Sequence, residues 1–432
     1  MSGPARVEWW RPEADSGGAE AAAPSRMPFR ALMAFTFVLL LAPQGFIPAL
    51  APLRLGLLTA AVAIAAYVFD RFLRRQPIMT LTREMLLAAG LAGWAVATIP
   101  LSYWPGGSLS FLLESYLKTL AIFVLLANVV TTRRRLALVA WALSLMAVPL
   151  AAFGVREYLS GRFIDGGPVK RILSYEAPLT QNPNDLALML NLILPLTVAL
   201  FLLHRHAAVR LGLLLVIALV AVAVMMTFSR AGFLTLATIF VMYVLKLLRR
   251  PGRGWALAVF VVVLACLPLL PSSYVERLGT ITNIEADPTG SAQERWNDTL
   301  ATLRLVSRNP LVGAGIGMNI LALNDLRGPI WKEVHNVYLE YAADLGLPGL
   351  VLFLSLMVLC LRATVEVQRR TAGEPDQRDL FLLAEGLQTG LVAFAVAAVF
   401  HPVAYHYYFY YIAGLALGAR AAAGTAVTED RT

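Results

Sequence analysis

One short stretch, VHNVYLEYAADLGLPG at 334–349, combines a histidine, an asparagine and two tyrosines near the end of a long segment that contains no membrane-spanning run. The ordinary pKa of histidine lies near neutrality, which suits a side chain that accepts a proton from a substrate hydroxyl. His335 is therefore a candidate general base. A lone histidine is also a common structural residue, and the stretch by itself leaves both interpretations open.

The sequence around this histidine also predicts a helix. If the helix starts near Glu333, His335 and Tyr338 share one face, because residues three and four apart are neighbours on a helix. Gly346 is expected to end the helix before the next apolar run. Asn336 and Tyr338 are then candidates to orient sugars or the histidine.

Two arginines suit an anionic substrate, because a guanidinium group is always charged and binds two phosphate oxygens at once. Arg230 lies in TFSRAGF between two apolar runs, where a charge is costly unless it is paired, snorkels or lines a wet cavity. Arg295 is next to Trp296 in an amphipathic helix marked by Trp296, Leu300 and Leu303, which is expected to end before an Asn-Pro pair. Snorkelling of Arg230 and a surface salt bridge of Arg295 are the structural alternatives.

A further polar cluster, TQNPNDLA at 180–187, precedes an apolar run. Asn182 is a good helix N-cap, with Pro183 at the first helical position and Asp185 in the first turn. The alternative is that Asn182 and Asn184 make polar contacts with a substrate at the mouth of this helix.

The sequence predicts no metal and no cofactor. GAGIGMN at 313–319 lacks the preceding strand of a dinucleotide-binding unit, so its glycines are expected to allow a tight turn or close backbone packing. A Walker motif, which would indicate ATP use, does not occur. Glu285 and Asp287 are the nearest acidic pair for a metal, but the Pro-Thr-Gly that follows favours a turn.

The elements that carry these residues are those of a membrane protein. The 432 residues are 58% hydrophobic and only 15% charged, whereas soluble domains carry roughly 25% charged residues. A membrane-spanning helix needs about 20 apolar residues, and about twelve runs approach this length. The predicted fold is an all-α polytopic membrane protein. The runs lie near 31–50, 53–70, 85–101, 109–130, 136–157, 184–203, 209–228, 231–248, 255–270, 349–362, 380–400 and 407–420.

Basic residues gather in alternate turns, which places the N-terminus in the cytoplasm and the polar clusters on the outer side. This topology explains most of the net charge of +9, so nucleic acid is not an expected partner. The aromatic turn HPVAYHYYFYY at 401–411 is expected to lie at the membrane interface. The predicted divisions are a disordered cytoplasmic tail at 1–30, helices at 31–270 with an outer loop near 158–182, a long outer loop at 271–348, helices at 349–420 and a cytoplasmic tail at 421–432.

Five motifs, in this order, resemble the O-antigen ligase family, which shares a membrane domain with O-antigen polymerases and bacterial O-linked oligosaccharyltransferases. The glycine-rich piece followed by His-Asn-x-Tyr-Leu is the most specific of them. The motifs are NPN at 182–184, FSRAG at 228–232, ERW at 294–296, NPLVGAGIGMN at 309–319 and HNVYLEYAADLGLPG at 335–349.

The resemblance implies a GT-C-like glycosyltransferase at the periplasmic face of the bacterial inner membrane. Such enzymes transfer O-antigen from undecaprenyl diphosphate to a sugar hydroxyl of lipid A–core, with inversion and without metal or ATP. The donor, the acceptor and membrane lipids are then the expected partners. Carried onto this sequence, the resemblance assigns Arg230 and Arg295 to the diphosphate and His335 to the chemistry.

Three alternatives remain open. An O-antigen polymerase would use the same donor with a second lipid-linked chain as acceptor. A protein O-oligosaccharyltransferase would glycosylate Ser or Thr, but such enzymes typically carry a large extra portion after the last span. A secondary transporter would bind its substrate near the middle of the membrane and often shows two similar halves, which this sequence does not.

Overall fold

The computed structural model describes residues 25–164, 171–173, 175, 177–180, 182–250, 279 and 290–429. It is 79% helical, and no strand occurs among the residues described. The main helices are α1 (Arg26–Leu41), α2 (Leu55–Leu73), α3 (Arg83–Thr98), α4 (Pro105–Phe111), α5 (Leu117–Val129), α6 (Arg133–Leu159), α7 (Pro183–Leu203), α8 (Ala207–Met226), α9 (Arg230–Leu248), α10 (Ser291–Arg308), α11 (Asn319–Arg327), α12 (Val337–Thr371), α13 (Arg378–Ala397) and α14 (Tyr407–Glu429).

Nine helical segments in the described part of the chain are long and apolar enough to cross a membrane. The predicted fold class is therefore confirmed, and the chain is an all-α, multi-pass membrane protein. Three predictions concern residues outside those described: the tail up to residue 24, the run near 255–270, and the acidic pair at 285 and 287.

The first predicted span, 31–50, is shorter than expected. α1 ends at Leu41, and Ala42 adopts a left-handed conformation with a φ of 40°. Two short 3₁₀ helices follow, Pro43–Gly45 and Pro48–Leu53, and each begins with a proline. Proline has no backbone N–H and cannot continue an α-helix, so the two prolines divide the apolar run.

α7 and α13 form the centre of the bundle. Of the most apolar 18 residues in each helical segment, 78% are buried inside the protein in α7 and 72% in the segment that contains α13. The corresponding share is only 22% in α2 and in α8. Tyr243 of α9 donates a hydrogen bond to the carbonyl of Pro195 in α7 at 2.7 Å. Nearer the start of both helices, the Asn191 amide donates to the carbonyl of Gly232 at 2.9 Å. These contacts hold α7 and α9 side by side.

The glycine-rich segment 313–319 packs directly on α12. The carboxylate of Asp344 accepts hydrogen bonds from the backbone N–H groups of Gly317 at 3.1 Å and Asn319 at 2.8 Å. A Cβ atom at Gly313 would lie 2.6 Å from a backbone carbonyl oxygen of α12, so a side chain there does not fit. The predicted role of these glycines in close backbone packing is confirmed.

α12 is divided by a kink at Gly346, where φ is 67° and ψ is −175°. A left-handed φ favours glycine, which has no Cβ to clash with the backbone. The N–H of Leu347 donates to the carbonyl of Pro310 at 2.7 Å, which attaches the kink to the segment after α10. The first helical stretch thus ends at Gly346 as predicted, and the helix resumes after it.

Aromatic side chains of the turn at 401–411, which the sequence predicts to lie at the membrane interface, are buried inside the protein. Tyr405 is 2% exposed and His401 is 1% exposed, so both side chains lie inside the protein. Tyr341 of α12 donates a hydrogen bond from its hydroxyl to the carbonyl of Ala404 at 2.8 Å. The turn is therefore packed against α12, because its tyrosines find ring and hydrogen-bond partners within the bundle.

Candidate active site

A cavity of about 510 Å³ lies at the end of the bundle where α7 and α9 begin. Its walls come from the starts of α7, α9 and α10, the loop before α7, the loop between α11 and α12, and the turn after α13. Arg230, Arg295 and His335 all line it. The fold thus brings the three main candidates from the sequence into one cavity.

His335 lies just before α12 rather than on it. The helix begins at Val337, and the side-chain oxygen of Asn336 accepts hydrogen bonds from two backbone N–H groups of its first turn at 2.9 and 3.1 Å. An asparagine N-cap satisfies donors that would otherwise lack an acceptor, and this sets the start of the helix. The prediction that the helix starts near Glu333 is therefore wrong, and His335 does not share a helical face with Tyr338.

The hydrogen bonding of the imidazole defines which ring nitrogen can act as a base. Nδ1 of His335 lies 3.1 Å from the backbone carbonyl oxygen of Glu333. A carbonyl oxygen only accepts, so Nδ1 is the donor and carries the proton. In the neutral ring, Nε2 is then the atom that can take a proton from a substrate.

Burial is the main cause that lowers the pKa of His335, from 6.5 to about 4, and the positive charges of Arg295, His401 and Lys332 act in the same direction. The hydrogen bond to the Glu333 carbonyl opposes them. The imidazole is therefore neutral at physiological pH, which is the state required of a general base.

Two arginines bring positive charge to the cavity from the starts of α9 and α10. Arg230 is the first residue of α9, and its Nη2 donates to the Ser291 hydroxyl at the start of α10 at 2.8 Å. The N-terminus of a helix carries a partial positive charge and unpaired N–H groups, both of which favour anions. The start of α9, Arg230 and Arg295 together form a site suited to a negatively charged group.

Two further cations in the lining, Arg171 and Lys332, were not assigned to the site from the sequence. Nη2 of Arg171 donates to the Asn184 side chain at 2.8 Å, and Nζ of Lys332 pairs with Glu294 at 2.9 Å. Both residues are basic although the predicted topology puts them on the outer side. That departure from the usual charge bias was the signal that could have identified them.

The polar candidates of the sequence divide into two groups. Asn182 is the N-cap of α7, as predicted, and accepts two backbone hydrogen bonds at 2.9 and 3.1 Å. Asn184 lines the cavity, whereas the described lining does not include Asn182, Asn336 or Tyr338. The hydroxyl of Tyr338 instead donates to a backbone carbonyl of α13 at 2.7 Å.

Acidic groups also face the cavity. Burial raises the pKa of Glu333 above 4.5, and Asp298 forms an ion pair with Arg327. Among the described residues, no group of three or more histidine, cysteine, aspartate or glutamate side chains could hold a metal ion. Two acids of the lining are thus paired with cations of the same protein, Asp298 with Arg327 and Glu294 with Lys332.

Comparison with known proteins identifies the domain that carries most of this cavity. Residues 187–354 match the family model of O-antigen ligase. This region is thus similar to the O-antigen ligase domain. Comparison with curated protein sequences gave no match. This match confirms the resemblance to O-antigen ligases that the sequence motifs indicated. It supports a glycosyltransferase-type enzyme with polysaccharide and lipid substrates.

The O-antigen ligase domain includes Arg230, Arg295 and His335, but the cavity extends beyond it. Arg171, Asn184 and Pro402 lie outside the matched residues and complete the walls. Chain segments before and after this domain therefore contribute to the walls of the cavity and to the helix N-termini that line it.

Proposed function

We propose that this protein transfers a glycan from undecaprenyl diphosphate to a sugar hydroxyl of lipid A–core at the periplasmic face of the bacterial inner membrane. The observation that supports this proposal most directly is a single cavity lined by Arg230, Arg295 and a neutral His335. The O-antigen ligase domain supplies the substrate class, and the multi-pass fold suits two lipid-anchored substrates.

The donor diphosphate binds beside the arginines. Arg230 offers a forked guanidinium at the start of α9, and Arg295 faces the same cavity from α10. When the bond between the sugar C1 and the phosphate oxygen breaks, the leaving diphosphate gains negative charge. Cations fixed at that position stabilise the transition state more than the bound donor, which is the requirement for catalysis.

The acceptor hydroxyl is activated by His335. Its oxygen attacks C1 on the face opposite the diphosphate, and its proton passes to Nε2 of the imidazole. One C–O bond forms and one breaks, so the configuration at C1 inverts and undecaprenyl diphosphate departs. The diphosphate is already a good leaving group, so the step requires no ATP.

The test is transfer with purified components in liposomes, using undecaprenyl-diphosphate glycan and lipid A–core. His335→Ala should lower kcat by roughly 10²- to 10⁴-fold, the usual contribution of a general base. His206→Ala is a matched control, because His206 is exposed at the start of α8 and does not line the described cavity. Wild-type rates in the His335 variant would exclude this residue as the base.

The acceptor is tested separately. The same donor is supplied with either lipid A–core or a second lipid-linked glycan, and the product is identified by mass. Sugar gained by lipid A–core supports the proposed ligase. Sugar gained only by the second lipid-linked chain would make the protein a polymerase that uses the same donor chemistry.

A further inference from the structure

Trp331 has an unusual combination of exposure and backbone conformation. Its side chain lines the cavity together with His335, and the residue is 64% exposed. Its φ is 53°, in the left-handed region that residues with a side chain seldom occupy. Such a conformation is strained and persists only where its surroundings enforce it.

A network of polar contacts enforces it. The N–H of Trp331 donates to the side-chain oxygen of Asn324 in α11 at 3.1 Å. Arg327, also in α11, donates to the carbonyl of Lys332 and forms an ion pair with Asp298 of α10. The loop on both sides of the indole is therefore fastened to two helices, although the indole itself makes little contact with the protein.

The chemistry of the cavity indicates which kind of ligand the indole suits. The lining is rich in charged and polar side chains, and among the residues described in it Trp331 is the one that carries a large apolar ring. A pyranose ring has hydroxyls at its edge and C–H groups on its faces, so it needs both polar partners and a flat apolar surface. An indole offers a large apolar face at low cost in side-chain entropy.

We propose that Trp331 is a stacking platform for a pyranose ring next to His335. The inference rests on the proposed function, and it names a residue that selects the sugar rather than one that performs the chemistry. The ring belongs to either the donor glycan or the acceptor core, because both must reach His335. Loss of one such stacking contact is worth about 0.5–1.5 kcal/mol, or roughly a two- to tenfold change in binding.

The experiment compares Trp331→Tyr, Trp331→Phe, Trp331→Leu and Trp331→Ala in the liposome transfer assay. Stacking predicts that the Tyr and Phe variants keep KM within about twofold of the wild type. The Leu and Ala variants should then raise KM for one substrate by roughly five- to tenfold, with kcat little changed. Donor and acceptor are varied in turn, and the substrate whose KM rises is the one that carries the ring.

Trp296→Ala is the matched control. Trp296 is also an exposed tryptophan, at 53%, but it lies on the face of α10 that carries Leu300 and Leu303 and does not line the described cavity. Its replacement should leave both KM values unchanged. Folding of each variant is checked by its elution from a sizing column and by thermal melting.

Two results would overturn the platform. Normal KM values in Trp331→Ala would show that the indole contacts no substrate. A Leu variant that behaves like the wild type while the Ala variant fails would indicate simple apolar contact, such as insertion into lipid. His335→Ala is run in parallel: if it abolishes transfer while Trp331→Ala is normal, the platform fails and the proposed function stands.

Discussion

Removing the positive charge of Arg295 should move the acid limb of the pH–rate profile to higher pH. His335 accepts a proton only when it is unprotonated, so kcat/KM falls as the pH drops through its pKa. That pKa is about 4, well below the ordinary 6.5. The wild-type kcat/KM should therefore stay constant from neutrality to within about one pH unit of that value.

The causes of the low pKa of His335 set limits on how far the acid limb can move. The depression of the His335 pKa from 6.5 to about 4 amounts to roughly 3 kcal/mol, at about 1.36 kcal/mol per pKa unit. Burial is the largest cause and the charge of Arg295 is the second. Arg295→Gln leaves the burial in place, so the midpoint of its acid limb should lie above about 4 and below 6.5. Arg295→Lys keeps the charge and should leave the midpoint near the wild-type value.

The assay measures kcat/KM for the donor across a series of buffers at constant ionic strength. Arg295→Gln will also lower the absolute rate, but the midpoint does not depend on that rate. Glu333 needs its own control, Glu333→Gln, because it lines the same cavity and burial raises the pKa of its carboxyl group. An acid limb of Arg295→Gln that coincides with the wild-type limb, or lies below it, would refute the reasoning.

Two other changes separate binding from structure. Arg230→Gln should raise the donor KM by roughly ten- to a hundredfold, because hydrogen bonds to charged groups are worth about 1.5–3 kcal/mol, and leave the acceptor KM unchanged; equal effects on both substrates in initial-rate assays would contradict a donor role. Asn336→Ala should lower the free energy of unfolding by roughly 1 kcal/mol, whereas Asn336→Ser keeps the cap and should restore both melting temperature and activity. A Ser variant that melts normally but is inactive would instead favour a substrate contact for Asn336.

The membrane-spanning helices were predictable because the signal for each helix lies in one continuous stretch of sequence. A run of about 20 apolar residues has few alternatives to a membrane-spanning helix, and α7 follows its N-cap Asn182 as the local pattern requires. Arg230 was recognisable as a candidate site residue because a charge between two apolar runs costs free energy unless it is paired or lines a wet cavity. These inferences need no knowledge of how the helices pack.

The rest of the site depends on contacts between distant segments. Trp331 and Lys332 lie in a loop with no periodic pattern, and only its attachment to α10 and α11 turns them toward His335. The start of α12 was a local error of a different kind. Asn336 stands directly before the helical run and was the better N-cap signal than Glu333.

Arg295 lowers the pKa of His335 and is also one of the two arginines that we propose hold the donor diphosphate. Arg295 and Lys332 both act on the imidazole, and a bound diphosphate would bring negative charge into the same cavity. Donor binding therefore raises the pKa of His335 and makes it a stronger base. By linkage the effect is reciprocal, so a protonated His335 also tightens donor binding. Under the proposed function, His335 would be a weak base in the empty cavity and would become a stronger base when the donor is bound, so that proton uptake would be favoured in complexes that already contain the donor.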